Sequence, residues 1–301
     1  MNTPPEQRPF RFGLFLDVGD GRHDRLLETA RRAEAAGVDV LLATDHLGSH
    51  AALPMLQAAA GATGLRVGTM VLDNELRHPA VLAQELATVD AMIGGRLEIG
   101  IGAGWNRTEL EAAGIRFDPP ADRVRRMKAS LRMLRTALRD GQIDHQADAA
   151  YPAIHQEGLP RSVQRPHPPF VVGGGGPKLL AFAAREADIV GLDPRALPDG
   201  GSDPEDITEA AIERKIGWIR EAAGNRSAQL QITISLFEVA SARTRGMSDE
   251  ELRRSPHHLV GETGEMVETL LARRERFGIS YLALQSGQLE TMAPVIRAVK
   301  D

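Results

Sequence analysis

Short apolar runs alternate with amphipathic stretches from one end of the chain to the other. The runs fall at Phe12–Leu16, Val38–Ala43, Val67–Leu72, Leu97–Ile101, Phe170–Val172, Ile189–Leu192, Leu230–Leu236 and Tyr281–Leu284. Their length and composition suit buried strands. A helical pattern follows each one. Leu26, Leu27, Ala30 and Ala33 share a face that Gly37 ends, and a second helix spans Leu53–Thr63. Pro79 opens a helix to Ile93, which gathers Leu82, Leu86, Val89 and Ile93 before Gly94-Gly95 stops it. Val124, Met127, Leu131, Leu134 and Leu138 form the next stripe. Pro177–Glu186, the Ile212/Ile216/Ile219 series, Met266–Arg274 and Leu289–Val299 complete the set.

Repeated strand–helix units imply a parallel sheet. Eight of them without a linker-like gap predict one closed (β/α)8 TIM barrel, a single domain over residues 1–301, rather than two doubly wound domains. Three segments break the rhythm and read as insertions: roughly 141–169, 193–205 and 241–255. The first holds five Pro and three His. The first two are expected to shape a substrate pocket, the third to be exposed surface or, in the alternative, a lid.

Composition narrows the choice of chemistry. A barrel typically needs about 250 residues plus insertions, so a 301-residue chain suits it. The net charge is −5, and basic residues are scattered among acidic ones, so no nucleic-acid partner is expected. There is no Cys, which removes disulfides, thiolate nucleophiles and Cys-ligated metals. No apolar run approaches the roughly 20 residues of a membrane span. The first ten residues hold three Pro and no apolar h-region. A cytoplasmic protein is the expectation. No His-Glu-x-x-His spacing and no Gly-x-Ser-x-Gly elbow occurs, and the adjacent His257 and His258 diverge, so neither a metal site nor a serine triad is expected.

In such a barrel, chemistry sits at the C-terminal ends of the strands. The first strand ends at Asp17 and the second at Asp45-His46. The third carries Thr69-Met70-Val71, and the fourth runs into Gly102-Ala103-Gly104-Trp105. The fifth runs into Gly173-Gly174-Gly175-Gly176-Pro177, just where a helix begins. Glycines admit close backbone approach, and a helix start favours an anion, so this loop reads as a phosphate site or as a plain strand-to-helix turn. Gly100-x-Gly102-x-Gly104 lacks dinucleotide spacing; it is a place of close approach to a flat ring or a barrel-packing device. His46 can exchange a proton near neutral pH or cap a loop. Trp105 can stack on a ring or fill the barrel mouth.

Taken together, Arg77-His78-Pro79, Leu82-Ala83-Gln84, Val89-Asp90, Gly94-Gly95-Arg96-Leu97 and Gly100-Ile101-Gly102-Ala103-Gly104-Trp105 with Glu109 resemble the luciferase-like monooxygenase family, most of all its coenzyme F420-dependent branch. Phe12-Gly13, Glu34-x-x-Gly37, Gln164-Arg165-Pro166-His167-Pro168-Pro169 and Leu259-Val260-Gly261 extend the likeness over about residues 11–285. The resemblance implies a (β/α)8 barrel with insertions and a homodimer. It implies a deazaflavin ring, or FMN in the alternative, lying at the barrel mouth. Thr69-Met70-Val71 would form a bulge behind the ring, with a cis peptide at Met70-Val71. Gly102, Ala103 and Gly104 would approach the ring, and Gly173–Gly176 with Pro177 would hold the cofactor phosphate. Asp45 and His46 would sit beside the ring with His46 as proton donor or acceptor, while Asp17 and Trp105 would face a small organic substrate. In the sugar-phosphate dehydrogenases of this branch a Glu takes the place of Trp105, so sugar-phosphate oxidation is not expected. Two further readings stay open: an FMN monooxygenase using reduced flavin and O2, and a cofactor binder without turnover.

Overall fold

A computed structural model describes residues 8–17, 22–195, 197, 203–239 and 252–300. In chain order, β1 (Arg11–Phe15) leads to α1 (His23–Ala35), β2 (Val40–Ala43) to α2 (Ala52–Ala62), and β3 (Arg66–Asp73) to α3 (Pro79–Met92). β4 (Leu97–Gly102) leads to a short α4 (Arg107–Ala112) and a long α5 (Pro120–Asp140). A hairpin of β5 (Ile143–His145) and β6 (Ile154–Gln156) precedes β7 (Phe170–Gly174), α6 (Pro177–Glu186), β8 (Ile189–Leu192) and α7 (Glu209–Ala223). Then come β9 (Gln231–Ser235), the small pair β10 (Glu238–Val239) and β11 (His258–Leu259), α8 (Thr263–Phe277), β12 (Ile279–Leu284) and α9 (Leu289–Lys300). Eight strands close into a barrel in the order β1, β12, β9, β8, β7, β4, β3, β2. Strands β2, β8 and β12 are buried along their whole length, as expected when both faces of a parallel sheet are covered.

The contacts group the chain into two compact units, residues 42–171 and residues 1–41 with 172–301. In the first, Leu97, Ile99, Ile101 and Phe170 are fully buried, and so are Leu86, Leu131, Leu134 and Leu138 on the inner faces of α3 and α5. Helix α3 starts at Pro79, where a missing N–H costs nothing, and α5 stops at Gly141 in the left-handed region. Asp90, fully buried on α3, accepts hydrogen bonds from Val163 N, Gln164 N and Gln164 Nε2 at 2.9, 3.1 and 2.7 Å. This ties the end of the 141–169 insertion to the helix. The same insertion contains the β5–β6 hairpin, whose three-residue strands carry no apolar run to mark them. In the second unit, Phe12 and Leu14 of β1 face Leu282 and Leu284 of β12 in parallel register. Helix α8 has a reciprocal capping box of Glu262 and Glu265 and ends at Gly278, φ 77°. Residues 196 and 198–202 of the 193–205 insertion and residues 241–251 of the 241–255 insertion lie outside the described residues.

The β3–β4 pairing contains one irregularity. Thr69 pairs with Ile99, but the next pair is Leu72 with Ile101, so β3 carries one extra residue there. This is a bulge. The Met70–Val71 peptide within it is cis. Thr69 Oγ1 donates to Gly100 O and accepts from Gly100 N, both at 2.9 Å. A Cβ on Gly100 would stand 2.1 Å from Thr69 O, and one on Gly102 would stand 2.6 Å from Val71 Cγ2. Gly100 and Gly102 therefore make room for the bulge.

Gly100→Ala is expected to cost about 1–3 kcal/mol, the usual penalty for forcing extra volume into a packed interior. Gly61, in α2, has nothing within 4 Å of its Cβ position, and Gly61→Ala is expected to gain about 0.5–1 kcal/mol. Urea denaturation of the two variants beside wild type checks the pair.

Candidate active site

In the 42–171 unit, β2 delivers Asp45 and His46, β3 delivers Asp73, and β4 with α4 delivers Gly104, Trp105 and Glu109. Asn106 caps α4 by accepting from Glu109 N. This cap aims the Glu109 side chain back at β2. One Glu109 oxygen lies 2.9 Å from His46 Nδ1, and the other accepts a short hydrogen bond from Leu47 N. The Glu109 side chain is 11% exposed and that of His46 is 35% exposed. Burial pushes the Glu109 pKa up, but the hydrogen bonds from His46 and Leu47 outweigh it and hold the carboxyl below its ordinary range. A carboxylate only accepts, so Nδ1 carries the hydrogen and Nε2 is left to accept from, or donate to, a ligand. The Trp105 ring meets the imidazole edge-on, 5.8 Å between centroids at 81°.

The sequence pairs Asp45 with His46; the structure pairs His46 with Glu109 and gives Asp45 to Arg77. Asp45 takes a two-pronged guanidinium contact at 2.5 and 3.1 Å and accepts from Asp73 N at 3.1 Å. Both its oxygens hold neighbouring elements in place, a positioning task. Asp73 caps the turn Asn74–Leu76 by accepting from Glu75 N at 2.8 Å. Its carboxyl is pushed up to about 6, chiefly by burial, with the charges of Glu75, Asp45 and Glu109 adding. It lies against Gly104, where a Cβ would come within 2.7 Å of Asp73 Oδ1 and the backbone has φ 72°. Both facts require glycine. Ala103 and Gly104 also give their carbonyls to Arg123 Nε at 3.2 and 3.3 Å. The Thr69 hydroxyl is wholly engaged with Gly100, and Met70 and Val71 are half-buried.

In the other unit, β7 runs into Gly173–Gly176 and α6 starts at Pro177. Three of the four glycines are needed for packing against protein. A Cβ would stand 2.3 Å from Asp193 Oδ2 at Gly173, 2.7 Å from Leu179 at Gly174 and 2.6 Å from Arg195 N at Gly175. Gly176 faces open space. The start of α6 has no side-chain cap and no acidic residue in its first turn. Its free N–H groups thus fit a phosphate. Behind the loop, Lys215 is fully buried, bonded to Asp206 Oδ2, Asp193 O and Asp206 O at 2.8, 2.8 and 3.0 Å. Asp206 also accepts from Arg195 N at 2.8 Å. Asp17 lies exposed just past β1. His257 is buried, stacks on Phe237 at 4.6 Å, and is pushed by burial down to about 4.

Glu109 and Arg77, which enter the sequence reading only as parts of the family motif, and Asp73 and Lys215 are residues to which it gives no role. In the sequence Glu109 is the last position of a glycine motif, and nothing in its spacing says that it reaches back 63 positions to His46. Lys215 lies on a helix of mixed charge, where a lysine reads as solvated surface.

The chain is a parallel (β/α)8 barrel; one unit holds an imidazole–carboxylate pair at a strand end, and the other a glycine-rich helix start without a side-chain cap. Residues 9–294 match the family model for luciferase-like monooxygenases. The chain belongs to that family. It is 31% identical over 261 residues to the F420-dependent glucose-6-phosphate dehydrogenase of Nakamurella multipartita, covering 82% of this chain and 72% of that one. For other matched relatives the chain spans about half their length, 51% for the F420-dependent glucose-6-phosphate dehydrogenase of Amycolatopsis mediterranei. The solved coenzyme F420-dependent tetrahydromethanopterin reductase from Methanopyrus kandleri has the same fold, with a TM-score of 0.76 at 18% identity, covering 97% of this chain and 100% of that one.

The raised pKa of Asp73 has a consequence for stability. Its protonated form favours the fold, so the contribution is complete below 3.8 and is lost as pH rises through about 6. Asp73→Asn keeps an oxygen for Glu75 N and cannot ionise. Its urea midpoint is expected to gain on that of wild type as pH rises from about 5 to about 8. A constant difference over that range would contradict the assignment.

Proposed function

We propose that the protein is an oxidoreductase that uses coenzyme F420 to move a hydride to or from a small organic substrate, with His46 handling the accompanying proton. The hydrogen bond from His46 Nδ1 to Glu109 carries this reading, because it fixes the tautomer and would leave Nε2 to a ligand. F420, when bound, supplies a two-electron hydride carrier. The naming of the matched relatives for F420 supports that cofactor.

The residues divide the work. His46 Nε2 would hold or release a proton at the substrate atom that changes charge. Glu109 would keep the ring oriented. Asp45, held by Arg77, would fix the end of β2 under His46. Thr69, Met70 and Val71 would back the ring, and Gly102, Ala103 and Gly104 would bring backbone close to it. Gly173, Gly174, Gly175, Gly176 and Pro177 would take the cofactor phosphate. Asp17 and Trp105 would face the substrate. A cytoplasmic homodimer completes the proposal.

An FMN monooxygenase is the second reading, favoured by one observation: riboflavin lyase, solved with modified FMN, matches with a TM-score of 0.74 at 14% identity, covering 97% of this chain and 91% of that one. Fluorescence titration of the purified protein with F420 and with FMN separates the two. Saturable binding of F420, weakened at least about tenfold by Gly174→Asp, is expected. Preference for FMN would overturn the F420 reading. His46→Ala is expected to lower kcat by about 10²–10⁴-fold while F420 affinity stays within a few-fold. Unchanged turnover would remove His46 from the chemistry, and a protein that binds F420 but turns over nothing in a broad screen of hydride donors and acceptors would be a non-catalytic binder.

A further inference from the structure

Two large apolar side chains border His46. Trp105 is 57% exposed and Leu47 54%. Neither is held in that position by a core. Trp105 is placed by its edge contact with the imidazole, and Leu47 by its N–H on the Glu109 carboxylate that also holds His46. An exposed indole against a reactive imidazole offers a flat apolar face to whatever His46 meets.

The charges around it point the same way. Residues 42–126 contain no lysine and eight arginines. Each arginine is already engaged. Arg66 holds Glu98, Arg77 holds Asp45, Arg107 holds Glu111, Arg116 holds Asp118, Arg125 holds Asp122 and Arg126 holds Glu75. Arg96 binds the carbonyls of Ala60, Thr63, Leu65 and Ile93. Arg123 binds the carbonyls of Ala103 and Gly104 and lies over Phe117, 3.8 Å from its centroid. Against these stand Asp73 and Glu109, which have no guanidinium partner among the described residues. A phosphate or carboxylate on the substrate would meet two carboxyls here and no uncommitted arginine from this stretch.

We infer that the substrate is an uncharged, largely apolar molecule with a flat face that lies against Trp105, and that sugar phosphates are not substrates. This rests on the reading that His46 marks the reacting centre. It separates the chain from the F420-dependent glucose-6-phosphate dehydrogenases it resembles, and Trp105 becomes the residue that sets specificity.

The test uses a matched pair of probes, an uncharged naphthoquinone and the same ring carrying a sulfonate. The chain has two tryptophans, Trp105 and Trp218, so Trp218→Phe leaves Trp105 as the sole indole. Quenching of that indole should saturate with the neutral ring, and the sulfonate should bind at least about tenfold more weakly. Equilibrium dialysis should show the neutral probe weakened about tenfold by Trp105→Ala and mostly restored by Trp105→Phe. Equal or tighter binding of the sulfonate would overturn the inference, and so would reduction of F420 by glucose 6-phosphate. F420 binding, measured on the same protein, keeps the two readings apart. Neutral-ring selectivity without F420 binding supports the substrate class and sinks the cofactor. F420 binding with sulfonate preferred does the reverse.

Discussion

The hydrogen bond between Glu109 and His46 organises the end of the 42–171 unit. One carboxylate fixes an imidazole and the backbone of the next residue, Leu47, at the same time. The imidazole cannot turn without breaking its bond to a half-buried carboxylate. Trp105 closes on the ring from the side. The Asn106 cap, the Arg77–Asp45 contact and the Asp73 cap all serve to bring three strand ends to the positions that this bond requires.

Glycine does the complementary work. At Gly100 and Gly102 it gives space to the β3 bulge, and at Gly104 it gives space to the Asp73 carboxyl. At Gly173, Gly174 and Gly175 it lets β7 lie against Asp193, Leu179 and Arg195, which leaves Gly176 and the start of α6 open. The buried Lys215–Asp206 pair behind that loop is poor evidence of added stability, since desolvation offsets much of its attraction. Its value is geometric. It pins Asp193 and Arg195 by their backbones, and so sets the wall against which the glycines pack.

Much of the fold is legible in the sequence because its signals are local and repeated. All eight apolar runs became barrel strands, and Pro79, Gly141 and Gly278 bound their helices by ordinary capping chemistry. The β5–β6 hairpin escaped because three-residue strands leave no periodic trace. The candidate site is legible by position but not by pairing. Asp45 and His46 stand next to each other in sequence, which suggests a couple, yet adjacent residues leaving a strand point to different sides. The partner of His46 comes from a helix 63 positions away, and that of Asp45 from 32 positions away. Neither distance has a sequence signature. At the glycines of the fourth strand, the packing of the chain on itself, one of the two readings the motif leaves open, already gives glycine a reason to stand there.

Under the proposed function, the protein contributes position and polarity and a bound carrier contributes the electrons. The account depends on one state of one side chain: His46 held with its hydrogen on Nδ1. Nitrogen NMR of histidine-labelled protein reads that state directly. Near neutral pH, the neutral form of His46 should be the Nδ1–H tautomer in wild type, and Glu109→Gln should release it to a mixture. A dominant Nε2–H tautomer in wild type, or a spectrum indifferent to Glu109→Gln, would contradict the account.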